Sequence, residues 1–157
     1  MSFNFSYELV HVTSYRATLA EPEVIGPVAE GLRMNVYLTG GEALGPKIKG
    51  RVRPVGADWL TIRTDGIGVL DVRATLQTDD GGLIYTCYRG VADLGPDGYQ
   101  NFLDGAPPPE RGIDLRIEPI YQTSHPDYLW LNRGFFVGVG KAFLQRGEVQ
   151  YDIYQLA

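Results

Sequence analysis

Apolar and polar residues alternate along most of this chain. Phe3, Phe5, Tyr7 and Leu9 fall on one face of an extended segment; Leu32, Met34, Val36 and Leu38 fall on one face of another, with Arg33, Asn35 and Tyr37 on its reverse. A period of two belongs to a strand whose faces meet different surroundings, so both segments predict strands. Gly40-Gly41 ends the second. The clearest run is Gly68–Thr78, where Leu70, Val72, Ala74 and Leu76 alternate with Val69, Asp71, Arg73, Thr75 and Gln77. Asp79-Asp80-Gly81-Gly82 follows it. Asp-Gly between two alternating runs signals a hairpin, so Leu83–Arg89 is expected to return antiparallel. The turn length sets the register, and a slip of one residue exchanges which of Tyr85 and Tyr88 shares a face with Arg73. Ile48–Arg53, Trp59–Arg63, Arg116–Thr123, Phe135–Leu144 and Val149–Leu156 read as further strands, for a total of roughly eight to ten at short, regular spacing.

Composition narrows the architecture. The chain has 157 residues, a size at which one domain buries about 70% of its unfolded surface, so residues 1–157 are expected to form a single domain. Its 20 Gly and 10 Pro leave little room for long helices. Regular short strands with frequent turns predict an all-β fold, a single antiparallel β-barrel of the lipocalin or calycin kind. Gly138 and Gly140 strip one face of a strand of side chains, which marks a bend or a close approach. Asp93–Gly112, with Pro107-Pro108-Pro109, reads as a surface loop, either a lid or a rigid spacer, and Asp127–Asn132 as one helical turn.

Charge and cysteine content remove several classes of function. The net charge is −5 and the 14 Lys and Arg are scattered singly, which argues against nucleic acid as partner. No window approaches the roughly eighteen apolar residues of a membrane span, and Met1–Glu8 does not resemble a signal peptide, so a cytoplasmic protein is expected. The lone Cys87 reads as a small buried residue, and His11 and His125 stand in no metal-ligand spacing, so no metal is expected. Gly138-Val139-Gly140 lacks the third glycine and following helix of a dinucleotide loop, and phosphate-loop, zinc-helix and nucleophile-elbow motifs are absent; no cofactor is expected.

What remains is a set of polar residues beside aromatics on strand segments: Asp58-Trp59, Asp71 with Arg73, Tyr85, and Tyr128 through Asn132 with Trp130. Together they supply hydrogen-bonding groups and stacking surfaces for a small oxygenated ligand. Each also has a structural reading: Asp58 closing a turn after Gly56, Arg73 paired with Asp71 on a solvated face, Asn132 capping the turn before it.

The sequence resembles the family called domain of unknown function 3237, also known as uncharacterised protein family 0311. The resemblance rests on Gly40-Gly41-Glu42 with Gly45-Pro46, Gly50, Gly56-Ala57-Asp58-Trp59, Asp65-Gly66, Asp71-Val72-Arg73, Thr78-Asp79-Asp80-Gly81 with Ile84-Tyr85, Tyr128-Leu129-Trp130-Leu131-Asn132 and Gly138-Val139-Gly140. It runs from about Tyr7 to Tyr154, and the order and spacing of the motifs carry it rather than any single one. Where the family tends to have Phe-Glu-Thr, this chain has Tyr121-Gln122-Thr123, so no carboxylate is available at Gln122. The resemblance implies a closed antiparallel barrel with few, short helices and no particular mechanism.

Two functions are expected to compete. In the first, the chain is a cofactor-independent isomerase, cyclase or lyase acting on an oxygenated, aromatic or polyketide-like molecule inside the barrel. Asp58 would be the base, Arg73 and Tyr85 the donors to a developing enolate, Asn132 a positioning group, and Trp59, Trp130, Tyr128 and Asp71 the substrate-binding surface. In the second, the barrel sequesters an apolar ligand without chemistry. Asp and Arg facing inward together favour the first; an apolar lining favours the second. A homodimer is expected in either case.

Overall fold

The computed structural model describes all 157 residues, and its fold is a closed antiparallel β-barrel. The strands are β1 (Leu9–Leu19), β2 (Glu23–Val28), β3 (Gly31–Leu44), β4 (Lys49–Ile62), β5 (Ile67–Thr78), β6 (Leu83–Asp93), β7 (Ile113–Gln122), β8 (Phe135–Phe143) and β9 (Glu148–Leu156). The sheet runs β1-β9-β8-β7-β6-β5-β4-β3, and β1 then pairs back onto β3 to shut the ring. Both β1 and β2 run along β3, β1 beside its second half and β2 beside its first, so β2 lies outside the ring of eight. Closure leaves the barrel without free strand edges, apart from that of β2. No helix is long and apolar enough to cross a membrane.

Strand alternation separates interior from exterior. On β7, Ile113, Leu115, Ile117, Pro119 and Tyr121 are buried while the residues between them are exposed. On β5, Leu70, Val72, Ala74 and Leu76 point inward, as their alternation predicts. These residues belong to a contiguous core of 24 buried side chains that fills the lower barrel. Gly138 and Gly140 face this interior, and the space they leave is already occupied. A Cβ at Gly138 would stand 2.4 Å from Ile117 Cγ1, and one at Gly140 would stand 2.1 Å from the Gln150 carbonyl oxygen.

Several predicted elements are redrawn. Phe3–Tyr7 precede the first strand and are exposed; their alternation finds no neighbouring strand, and only Glu8 bonds outward, exchanging backbone hydrogen bonds with Ala157. Ile48–Arg53 and Trp59–Arg63 are the two arms of one strand, β4, whose register shifts between Val52 and Gly56 around Pro54. Cys87 is half-buried on the outer face of β6 rather than interior, because it pairs with outward-facing Arg73.

Both barrel ends are covered. A short helix α1 (Gly98–Leu103) and the Pro-rich loop after it lie over the end formed by the β1–β2, β4–β5 and β8–β9 turns. The 3₁₀ segment Pro126–Arg133 plugs the opposite end, with Leu131 fully buried and Trp130 packed 6.2 Å from Phe136 between ring centroids.

Candidate functional site

Toward the α1 end of the interior lies a cavity of about 80 Å³. Of its 20 lining residues, 18 are hydrophobic, and Asp58 is the one that carries charge. Tyr88 and Tyr151 reach the same space. The wall owes its apolar character to strand parity: Asp58 pairs across β4 with Val36 of β3 and Val72 of β5, both inward-facing. Asp58 is thus the polar residue on an otherwise apolar inward face that continues with Leu60 and Ile62.

Asp58 is held where the β4–β5 ladder opens. The pairing passes from Asp58–Val72 to Thr61–Val69 without Trp59 and Leu60. The Asp71 N–H, left without a ladder partner, donates to Asp58 Oδ1 at 3.0 Å, and the Trp59 carbonyl accepts from the Arg33 guanidinium at 3.1 Å. That one backbone bond orients the carboxyl through Oδ1, and Oδ2 makes no hydrogen bond within the protein. Burial raises the Asp58 carboxyl from 3.8 to about 6; the Asp71 N–H works against the rise, and the Asp71 charge adds to it. A carboxyl in that range is populated in both protonation states near neutral pH.

Tyr88 and Tyr151 adjoin it, and Tyr15 and Tyr121 extend the cluster. Tyr151 is 5.0 Å from Tyr15 and 5.7 Å from Tyr88 between ring centroids, and all three are buried, as is Tyr121. Burial pushes Tyr88 up to about 12 and Tyr151 and Tyr15 up further, with the Asp58 charge adding to the shift of Tyr88 and Tyr151. These phenols therefore stay protonated and can only donate to an anionic oxygen. The Tyr15 and Thr86 hydroxyls are buried without a hydrogen-bond partner.

The residues expected from sequence to form one site are not brought together. Asp58 alone lines the cavity. Arg73 is exposed on the outer face of β5, the face that also carries Asp71, with its guanidinium 5.3 Å above the outward-facing Trp59 ring. Tyr85 also points outward, since it pairs with Thr75 two positions from Arg73 on that face. The turn places Tyr85, not Tyr88, beside Arg73, and this sends Tyr88 inside. Asn132 lies exposed near Tyr85 in a shallow groove, where it clamps Thr123, accepting from its N–H at 2.9 Å and donating to its carbonyl at 2.8 Å. Trp130 and Tyr128 belong to the plug at the far end, Trp130 beneath the Lys47 ammonium at 5.3 Å and Tyr128 against His125 at 5.0 Å. Sequence reasoning passed over Tyr88, Tyr151 and Tyr15. Their signal was available in the alternation, for Tyr151 shares a parity with Val149 and Ile153, and Tyr88 with Ile84.

The plug also gathers Asp80, His125 and Asp127, whose ligand atoms lie within 4.8 Å of one another. His125 Nε2 meets Asp80 Oδ2 at 2.6 Å, and Nδ1 accepts the Asp127 N–H at 3.1 Å. Nε2 ties the plug to the β5–β6 turn, and Nδ1 caps the first turn of the plug itself.

This frame has known relatives. The family model described as "Protein of unknown function (DUF3237)" matches residues 7–156. The chain belongs to the DUF3237 family. A UPF0311 protein of Rhodopseudomonas palustris is 31% identical over 150 residues, covering 95% of this chain and 96% of the relative. The crystal structure of a conserved R. palustris protein of unknown function superposes with a TM-score of 0.84 at 29% identity, covering 98% of this chain and all of the other. A β-barrel-like protein of Acinetobacter baumannii gives 0.82 at 28%, covering 99% of this chain and 100% of the other. A structure described as that of an enzyme from Penicillium herquei gives 0.72 at 20%, covering 100% of this chain and 99% of the other, and shares the fold.

Proposed function

We propose that the chain is a cofactor-independent acid–base enzyme acting on a small oxygenated molecule held in the barrel, by isomerisation, cyclisation or elimination. The observation that carries this reading is Asp58: a carboxyl raised to about 6, with one oxygen free, in a cavity that offers it no counter-ion. Burying such a group opposes folding, and a barrel that only stored hydrocarbon would gain nothing from it. A carboxylate there can take a proton from carbon beside a carbonyl, while the Tyr88 and Tyr151 hydroxyls donate to the oxygen on which charge develops. Arg73 and Tyr85 have no part in this arrangement. Binding without turnover is the second reading, and the apolar lining favours it.

A nitrobenzisoxazole separates the two. In its base-promoted ring opening the carboxylate takes the C–H proton, the N–O bond breaks, and the electron pair ends on a coloured cyanonitrophenolate. Turnover should saturate and rise with pH through about 6 as Asp58 ionises. Asp58→Asn keeps the acceptor for Asp71 and should cost at least about 100-fold, the usual contribution of a positioned base. Tyr88→Phe, which removes one donor, should cost about tenfold. Equal turnover in Asp58→Asn would refute the catalytic reading.

A further inference from the structure

We infer that the cavity selects ligands by charge and seats them in one direction: it takes an uncharged, largely hydrocarbon molecule whose carbonyl or hydroxyl oxygen lies on the Asp58–Tyr88–Tyr151 floor and whose hydrocarbon end lies under α1, and it rejects carboxylates and phosphates. This deepens the reading above by naming the substrate class, and it rests on the same cavity.

The first observation is the distribution of polarity. Asp58, Tyr88 and Tyr151 mark one side of the cavity, while Pro22, Leu94, Phe102, Ile113 and Leu144 are shared with the groove beneath α1 and the Pro-rich loop, a space of about 410 Å³. Cavity and groove share that wall of five residues, so the apolar end is the one nearer solvent and the polar end is the deep one. A ligand with one oxygen at one end matches that gradient in only one direction, since reversal would bury its oxygen against Leu94, Phe102 and Leu144 without a partner.

The second observation is the absence of any Lys, Arg or His among the lining residues. An anion would surrender its hydration without gaining a counter-charge, and would face the Asp58 carboxylate besides. The third lies under the floor. Tyr15, which does not line the cavity, stacks against Tyr151 and so backs one of the two phenols that do. A neutral oxygen accepts from such phenols while leaving Asp58 free to exchange a proton.

A matched naphthalene series tests this: naphthol, naphthoate and naphthylmethylammonium with the same ring position, titrated calorimetrically at pH 7.5 into wild type and Asp58→Asn. Naphthol should bind, and its bound protons should show nuclear Overhauser contacts to Leu94 and Leu144 methyls from the ring end and to Tyr88 and Tyr151 from the hydroxyl end. Naphthoate should bind at least about tenfold more weakly, a gap that Asp58→Asn narrows by removing the like charge. Failure of naphthol to bind, naphthoate binding as tightly as naphthol, or the ammonium binding tightest would each overturn the inference, the last by making the site one for amines. If the predicted order of binding appears without any Asp58-dependent ring opening of the nitrobenzisoxazole, the inference stands and the catalytic reading falls.

Discussion

The buried Asp58 carboxyl opposes folding, and the pH dependence of stability exposes that cost. Its carboxyl ionises near 3.8 when unfolded and near 6 when folded. Between those values the folded chain holds a proton that the unfolded chain has lost, so stability falls as pH rises. Below the window the penalty is absent; above it the penalty is complete, about 3 kcal/mol for a shift of two units. Asp58→Asn should therefore match wild type at pH 3 and exceed it by up to about 3 kcal/mol at pH 7 in urea unfolding. A difference that stays flat across pH would mean that the carboxyl titrates as an exposed one. The residue was legible in the sequence because Asp next to Trp on a strand stands out, but the reasoning attached to it was incomplete: the partner that shapes it is the backbone of Asp71, which no spacing rule reveals. Tyr88 and Tyr151 escaped because a tyrosine on an apolar face reads as core until a cavity is seen beside it.

At the scale of the element, parity decides which side chains can meet. The alternation of β5 placed Leu70, Val72, Ala74 and Leu76 inside and so also determined that Arg73 lies outside, a consequence available before any coordinates. The register of the β5–β6 hairpin was not available, since it depends on the turn, and it is what assigns Tyr85 to the surface. Gly138 and Gly140 were legible as a close approach, and the structure tells the two apart. An added methyl at Gly138 meets Cγ1 and Cδ1 of Ile117 and Cδ1 of Ile153, side chains that can shift, whereas one at Gly140 meets the Gln150 carbonyl of the neighbouring strand, which cannot move without opening the β8–β9 ladder. Gly140→Ala is thus expected to destabilise by about 1–3 kcal/mol and Gly138→Ala by clearly less. Thermal unfolding of the two variants checks this, and equal losses would show that Ile117 is as immovable as the backbone.

For the molecule as a whole, the ring of eight strands makes a rigid cup and concentrates any freedom of movement at its mouth. Closure joins β1 to β3 and β9, so every barrel strand is paired on both sides. The mouth has no comparable support. Helix α1 has six residues, its N-cap Asp97 makes no side-chain bond to the helix, and neither terminal turn carries a charge that complements the helix dipole. A helix this short is unstable by itself, so its position rests on Phe102 packing against the cavity rim. The loop that the sequence left open between lid and spacer is therefore expected to behave as a lid. In hydrogen exchange, the amides of Asn101 and Asp104, bonded to Asp97 and Gln100, should exchange by local opening, far faster than the amide of Val72 in β5, which should require global unfolding. Saturating naphthol should slow the first pair, because opening would uncover the ligand, and should slow Val72 only as far as overall stability rises. Phe102→Ala should remove the difference between free and bound exchange in α1 and speed ligand release. Equal protection of α1 and β5 in the free protein would instead make this end as rigid as the wall, and ligands would then need another way in.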